Sequence, residues 1–292
     1  MSTASHHSIL RVGVIGAGQA FTRLYLPALR RQAALELAGA ADPTSPAIPG
    51  LAVYASEDDL FGASELDALL VLSPPSLHAR HVAAGVARGL HVLVEKPPAL
   101  TVADLDEWPV SGPATVTPAF SRRFWKRYSG PKRAGATWRF TLKTDPAQWG
   151  ALRPEPVERD LLPHAADLAG WLSGEQIVAV EEVARTRESA SGTFHLSDGG
   201  EFRWDVAHGN GYVEHLTVGG RAPGGPTGVL QSLGDRVLRR PPQDVRGVGR
   251  LLSQWAAMLN GAVAPALPTL ADARACAAVI EAVERVPLLE AP

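Results

Sequence analysis

Through the first 120 residues, short unbroken apolar runs alternate with longer stretches in which apolar residues recur at helical spacing. The runs ILRVGVI, LELAGAAD, LAVYA, DALLVLS and HVLVE are rich in Val, Leu, Ile and Ala and carry almost no polar face. Strands apolar on both sides belong inside a parallel sheet covered by helices. Between them, FTRLYLPALRRQAA reads as a helix despite Pro27, SLHARHVAAGVARG as a helix closed by Gly89, and TVADLDEW as a short one. Ser56 and Asp59 form a capping-box pattern that opens another short helix. ATVTPAF completes the series.

The period changes after Phe120. GATWRFTLKT, QIVAVEEVA, GTFHLSD, GEFRWDV and GYVEHLTVG are strand-like, and several are joined by Gly-containing turns, which predicts an antiparallel sheet. Helices are expected at DLLPHAADLAGWLSG and near 244–262 and 269–286. RAPGGPTG reads as a mobile loop. The pattern therefore predicts two domains, an α/β one over 1–121 and an α+β one with a largely antiparallel open sheet over 122–292.

The turn after the first strand is RVGVIGAGQAF. Gly16 permits a tight turn, and Gly18 lets the backbone approach a pyrophosphate held at a helix N-terminus, with Ala17, Gln19 and Ala20 completing the loop. The third glycine position of such a loop is Phe21, which predicts a helix that sits further out or tilts. Asp42 closes the second strand, 24 residues beyond Gly18, where a carboxylate hydrogen-bonds a ribose 2′-hydroxyl. The bland alternative is a turn residue before Pro43. A carboxylate there repels a 2′-phosphate, and DPTSP offers no arginine to bind one, so NAD is favoured over NADP. Ser73, Pro74, Pro75 and His78, in SPPSLH after the fourth strand, lie where ligands of open α/β sheets bind; the competing reading is a rigid loop with Ser76 capping a helix. Together these features describe a Rossmann dinucleotide-binding domain.

Composition narrows the classes. Hydrophobic residues make up 46% and charged residues 20%, as in an ordered globular protein. A net charge of −2 argues against a general nucleic-acid binder. No apolar stretch is long enough to span a bilayer, and MSTASHHS leads straight into a strand, so a cytoplasmic location is expected. Cys276 is the only cysteine and lies in a helical run, where packing is its expected role. His208 and His215 are read as surface or sheet residues, and no metal-ligand spacing involves them.

Asp160 and His164 are four residues apart, so on one helix they face the same side. A carboxylate near an imidazole fixes its tautomer, although such pairs are also common as structural features. Asp167 is either a solvent-facing helix residue or a substrate ligand. The order of Gly16-x-Gly18, PPSLHARH, Glu95-Lys96-Pro97 and Asp160-x-x-x-His164-x-x-Asp167 resembles the Gfo/Idh/MocA oxidoreductases over nearly the whole chain. The resemblance implies an NAD(P)-dependent enzyme that interconverts a hydroxyl and a carbonyl on a sugar, cyclitol or sugar-like substrate. It matches Lys96, Asp160 and His164 to catalytic positions, places Glu95 beside the cofactor, and implies a homodimer or homotetramer through the C-terminal sheet. His164 is the expected general acid/base, and Lys96 the group that stabilises the reacting oxygen. Two features depart from the family: only WKRYSGPKRAG separates SRRF from the next strand, and Pro163 stands where many members carry glycine. Segment 122–133 holds six basic side chains in twelve; either Arg122 and its neighbours attract an anionic substrate, or they form a solvated connection. Other activities stay open: a cofactor-binding sensor without turnover, an aldose 1-dehydrogenase, or a C=N reductase.

Overall fold

The computed structural model describes residues 8–108, 114–128, 132–149, 155–221 and 242–289. Most of the RAPGGPTG loop, and residues 129–131 of the basic segment, lie outside the described residues. The chain forms two compact units. One comprises Met1–Pro98, Asp106–Ser121 and Pro242–Leu270; the other comprises Ala99–Leu105, Arg122–Pro241 and Ala271–Pro292. The units interleave along the sequence: Pro242–Leu270 clusters with the first unit and Ala99–Leu105 with the second.

The first unit is built on six parallel strands: β1 (Leu10–Ile15), β2 (Leu35–Ala41), β3 (Val53–Tyr54), β4 (Ala68–Val71), β5 (His91–Val94) and β6 (Val116–Pro118). Their order is β3-β2-β1-β4-β5-β6, which reverses direction between β1 and β4. That reversal leaves a crevice outside the carboxyl ends of the two strands, the place where open α/β sheets take ligands. Ile15 lies opposite both Ala41 and Val71, Val71 opposite Val94, and Val94 opposite Pro118. The strands therefore end in one row, and the residues that leave them emerge along a single edge.

Pro27 does not break the helix after β1. It has no N–H and would clash with the carbonyl four residues back. The chain opens instead into a π-helical turn, Phe21–Tyr25, in which the Leu26 N–H reaches the Phe21 carbonyl, and α1 (Leu26–Leu29) follows. Phe21 and Tyr25, four apart, are both fully buried, so the residue in the third glycine position packs into the core. Helix α2 (Glu57–Ala63) begins at Ser56, whose hydroxyl accepts from the Asp59 N–H and donates to its carboxylate, as the capping pattern predicts. Helix α3 (His78–Val86) follows β4, and α4 (Val102–Asp106) follows β5.

The second unit contains β7 (Thr137–Thr144), α5 (Val157–Asp160), α6 (Leu162–Ser173), β8 (Ile177–Arg185), β9 (Ser189–Leu196), β10 (Glu201–His208) and β11 (Val213–Val218). The sheet order is β11-β7-β10-β9-β8, antiparallel except for the parallel pair β7–β10. Alternation of period two puts Trp138, Phe140, Leu142, Phe202, Trp204, Val206, Leu216 and Val218 on one buried face, against Leu162, Ala165, Leu168 and Leu172 of α6. Arg139, Arg203, Asp205 and His215 occupy the opposite, exposed face.

Helix α7 (Gln243–Leu259) belongs to the first unit. Val245, Val248, Leu251, Leu252 and Trp255 form its buried stripe, and Gln32, just beyond α1, donates to the Gly249 carbonyl at 2.9 Å. Helix α8 (Leu270–Glu284) supplies Val279 and Val283 to the core of the second unit and buries Cys276.

Candidate functional site

Gly16 leaves β1 with φ +97°, and a Cβ there would lie 2.6–2.7 Å from backbone atoms of Leu72 and Ser73. Glycine is required on both counts. Beside Gly18 the situation is reversed: an added Cβ meets no atom within 4 Å, so its backbone borders open space. Asp42 folds back on this turn. Its Oδ2 accepts from the Ala17 N–H at 2.9 Å, while its Oδ1 accepts from the Thr44 N–H at 2.9 Å and the Thr44 hydroxyl at 2.6 Å. Partial burial works against ionisation, but these donors outweigh it and hold the carboxyl below the usual aspartate range. Gln19 accepts from the Arg23 guanidinium at 3.2 Å, and Ala20 leads into the π-turn.

The segment after β4 is tied to the segment after β5 by His78. Its Nε2 lies 2.7 Å from the Ser73 carbonyl and its Nδ1 2.8 Å from the Pro97 carbonyl. Burial pushes the proton affinity of this imidazole down to about 4, against the pull of the two carbonyls and with help from His81 and Lys96. A neutral ring carries one N–H, so one of the two contacts is a hydrogen bond and the other is an acceptor facing an acceptor. The Ser73 hydroxyl pairs with His81 Nδ1 at 2.8 Å. Pro74 precedes a 3₁₀ turn, Pro75–Leu77, that contains Ser76; α3 then starts without a side-chain cap, so Ser76 does not serve as one.

Glu95 follows β5. Its Oε1 accepts from the hydroxyl of buried Tyr25 at 2.6 Å, and its Oε2 from the Lys96 N–H at 2.8 Å. The Lys96–Pro97 peptide is cis. A residue of the π-turn thus holds the carboxylate that in turn holds the backbone of Lys96. Gly16, Asp42, Ser73, Glu95 and Lys96 all follow strand ends that the register places in one row.

In the second unit, Asp160 and His164 do not share one continuous helix. Helix α5 stops at Asp160, Leu161 forms a junction, and α6 starts with Pro163 in its first turn. In a continuous helix the Pro163 nitrogen would have to donate to the Arg159 carbonyl, and it cannot. The His164 N–H instead reaches the Leu161 carbonyl at 3.1 Å. The Asp160 carboxylate meets another histidine: Oδ2 lies 3.1 Å from His208 Nε2, with the His208 side chain 8% exposed and that of Asp160 30%. The sequence reading of His208 as an ordinary sheet residue missed this contact. The available signal was parity, because His208 falls in step with Phe202, Trp204 and Val206 on the buried face of β10.

Within the basic segment, Arg122 and Arg123 are engaged in ion pairs, whereas Lys126, Lys132 and Arg133 are exposed. The Arg122 guanidinium lies 3.3 Å from Glu214 and 5.0 Å from the centre of the Trp125 ring. Glu214, fully shielded, also accepts from the Tyr128 and Tyr212 hydroxyls. Arg123 bridges Asp167 and Asp272, at 2.7 and 2.6 Å. Asp167 is only 2% exposed, and its Oδ2 has no hydrogen-bond partner among the described residues. Burial pushes its carboxyl up to about 6 despite Arg123.

Residues 10–109 match the model of the oxidoreductase family with an NAD-binding Rossmann fold, GFO_IDH_MocA. The chain is 29% identical over 213 residues to inositol 2-dehydrogenase 4 of Saccharopolyspora erythraea, across 65% of this chain and 61% of that one. It therefore spans about three fifths of that relative's length. Among solved structures it resembles the apo scyllo-inositol dehydrogenase of Lactobacillus casei (TM-score 0.73, 16% identity, 95% of this chain and 96% of that one). It also resembles the WlbA (WbpB) dehydrogenase of Thermus thermophilus in complex with NAD and UDP-GlcNAcA (TM-score 0.70, 18% identity, 97% of each chain). Among the described residues no helix is long and apolar enough to cross a membrane. With its glycine turn at the switch point of a parallel sheet, the chain carries over residues 10–109 the NAD-binding Rossmann fold of the Gfo/Idh/MocA oxidoreductase family.

Proposed function

We propose that the chain is an NAD(P)-dependent oxidoreductase that interconverts a hydroxyl and a carbonyl on a sugar, cyclitol or sugar-like substrate. The observation that carries this reading is the single row of strand ends from which Gly16, Asp42, Ser73 and Glu95-Lys96 depart. The Gly16–Ala20 turn would hold the pyrophosphate, and the open side of Gly18 leaves room for it. Asp42, already held ionised by three donors, accepts from a ribose hydroxyl and repels a 2′-phosphate, which favours NAD. Bound NAD supplies the hydride acceptor. Lys96, its backbone fixed by Glu95, donates to the reacting oxygen and stabilises charge as it develops there. His164 takes the hydroxyl proton, since an imidazole ordinarily titrates close to working pH. Asp160 orients the polar groups around that proton. Arg122 and Asp167, committed to Glu214 and Arg123, serve as framework behind these groups. The relative named an inositol 2-dehydrogenase favours a cyclitol, and the exposed face of the second sheet is the proposed contact between copies of the chain.

The test is a titration of NAD and NADP followed by a panel of polyols and aldoses, read at the reduced-nicotinamide absorbance. Lys96→Ala and His164→Ala are expected to lower kcat by roughly 10²–10⁴-fold with NAD affinity kept. Binding without turnover on any substrate supports a sensor instead. Much tighter NADP binding defeats the assignment of Asp42.

A further inference from the structure

We propose that His208 is a positioning residue that fixes the carboxylate of Asp160 from the sheet. The inference rests on the oxidoreductase reading above, in which Asp160 orients the groups around the transferred proton.

The need for such a residue follows from local structure. Asp160 is the last residue of a four-residue helix that ends in a break, and its side chain is 30% exposed. A carboxylate in that setting has rotameric freedom that its own helix does not remove. His208 has little. It is the last residue of β10, its backbone is paired through Thr144 on β7, its N–H reaches the Glu188 carbonyl at 2.8 Å, and its side chain is 8% exposed. The 3.1 Å contact between His208 Nε2 and Asp160 Oδ2 therefore transfers the rigidity of the sheet to a carboxylate on a broken helix.

Neighbouring charges are engaged in other pairs. Glu158 on α5 pairs with Arg185 on β8 at 3.1 Å, and Arg159 with Glu284 on α8 at 2.5 Å. Lys143 on β7 packs over Gly209, where a Cβ would lie 2.5 Å from its Cε. The sheet imidazole and the helix carboxylate meet directly, with His164 four residues further along the chain.

The experiment compares His208→Leu with His208→Gln, because a Gln amide keeps an N–H donor at about the reach of Nε2. Assays use NAD with the best substrate of the panel, and Lys96→Ala and His164→Ala run in parallel. His208→Leu is expected to lower kcat by about 100-fold, the cost of a misplaced reacting group, with KM for NAD unchanged. His208→Gln is expected to recover most of that loss. In an Asp160→Asn background, His208→Leu should cost little more. Wild-type kcat in His208→Leu, or a Gln variant as impaired as the Leu variant, overturns the proposal. If Lys96→Ala and His164→Ala keep full turnover, the oxidoreductase reading fails instead. Crystal structures of wild type and His208→Leu read the same contact without turnover: a displaced Asp160 carboxylate supports the proposal, and an unmoved one refutes it.

Discussion

The residues proposed to bind the nucleotide, in the first unit, and those proposed to handle the proton, in the second, are positioned by opposite means. In the first unit, the named residues follow strands whose ends the parallel register aligns, so one topological feature positions them together. In the second, Asp160 sits at a helix break, His208 ends a strand 48 residues later, and Arg123 reaches Asp167 and Asp272 across 44 and 149 residues. The lesson concerns where precision comes from. A parallel sheet edge delivers it through backbone hydrogen bonds, whereas the α+β unit obtains it from buried side-chain pairs.

If that contrast is right, the second unit is the more sensitive to loss of one charge. Arg123→Met leaves Asp167 buried without its counterion and is expected to cost about 3–5 kcal/mol at pH 7, measured by chemical denaturation. The deficit should shrink toward pH 5, because the Asp167 carboxyl, already pushed up to about 6, can accept a proton. A loss under 1 kcal/mol would show that the pairs do not carry this unit.

In the first unit the backbone itself is the sensitive element. Gly16→Ala forces a side chain onto φ +97° and against Leu72, and is expected to cost about 2–4 kcal/mol and to weaken NAD binding. Gly18→Ala, which meets no protein atom, should leave the thermal midpoint unchanged and weaken NAD binding alone. Equal destabilisation by both substitutions would break the distinction.

A smaller effect comes from His78, which links two of the strand ends. Its folded-state proton affinity is depressed from 6.5 to about 4, so the unfolded chain takes up the proton first as pH falls. The stability it contributes is complete above about pH 6.5 and is lost progressively toward pH 4. Between pH 7 and pH 5 the loss is expected to be about 2 kcal/mol. A His78→Gln variant should show a flatter acid limb in the same measurement.

The first unit was legible in the sequence because its chemistry follows its strands directly. The apolar runs marked the strands, and the glycines, Asp42 and Glu95-Lys96 stood at their ends. What escaped was the way the chain deals with proline. Pro27 was read as tolerated, without the π-turn that buries Phe21 and Tyr25 and sends the Tyr25 hydroxyl to Glu95. The spacing of Asp160 and His164 pointed to one helix, and Pro163 splits it between them. In the second unit the strands were visible and their partners were not. Arg122, Arg123 and His208 carry no local sign of the carboxylates they meet, because those lie on elements far away in sequence. Strand parity put His208 on the buried face, and only the sheet order could say what it would find there.

The return of α7 to the first unit has a consequence for how the protein is made. The outer side of α1 is covered by residues more than 200 positions downstream. A ribosome therefore delivers the whole glycine turn, and most of the second unit, before the layer that seals the nucleotide half exists. Until Trp255 arrives, that half is a nascent chain with an apolar flank exposed, and cutting the gene after codon 121 would produce a fragment that exposes it permanently.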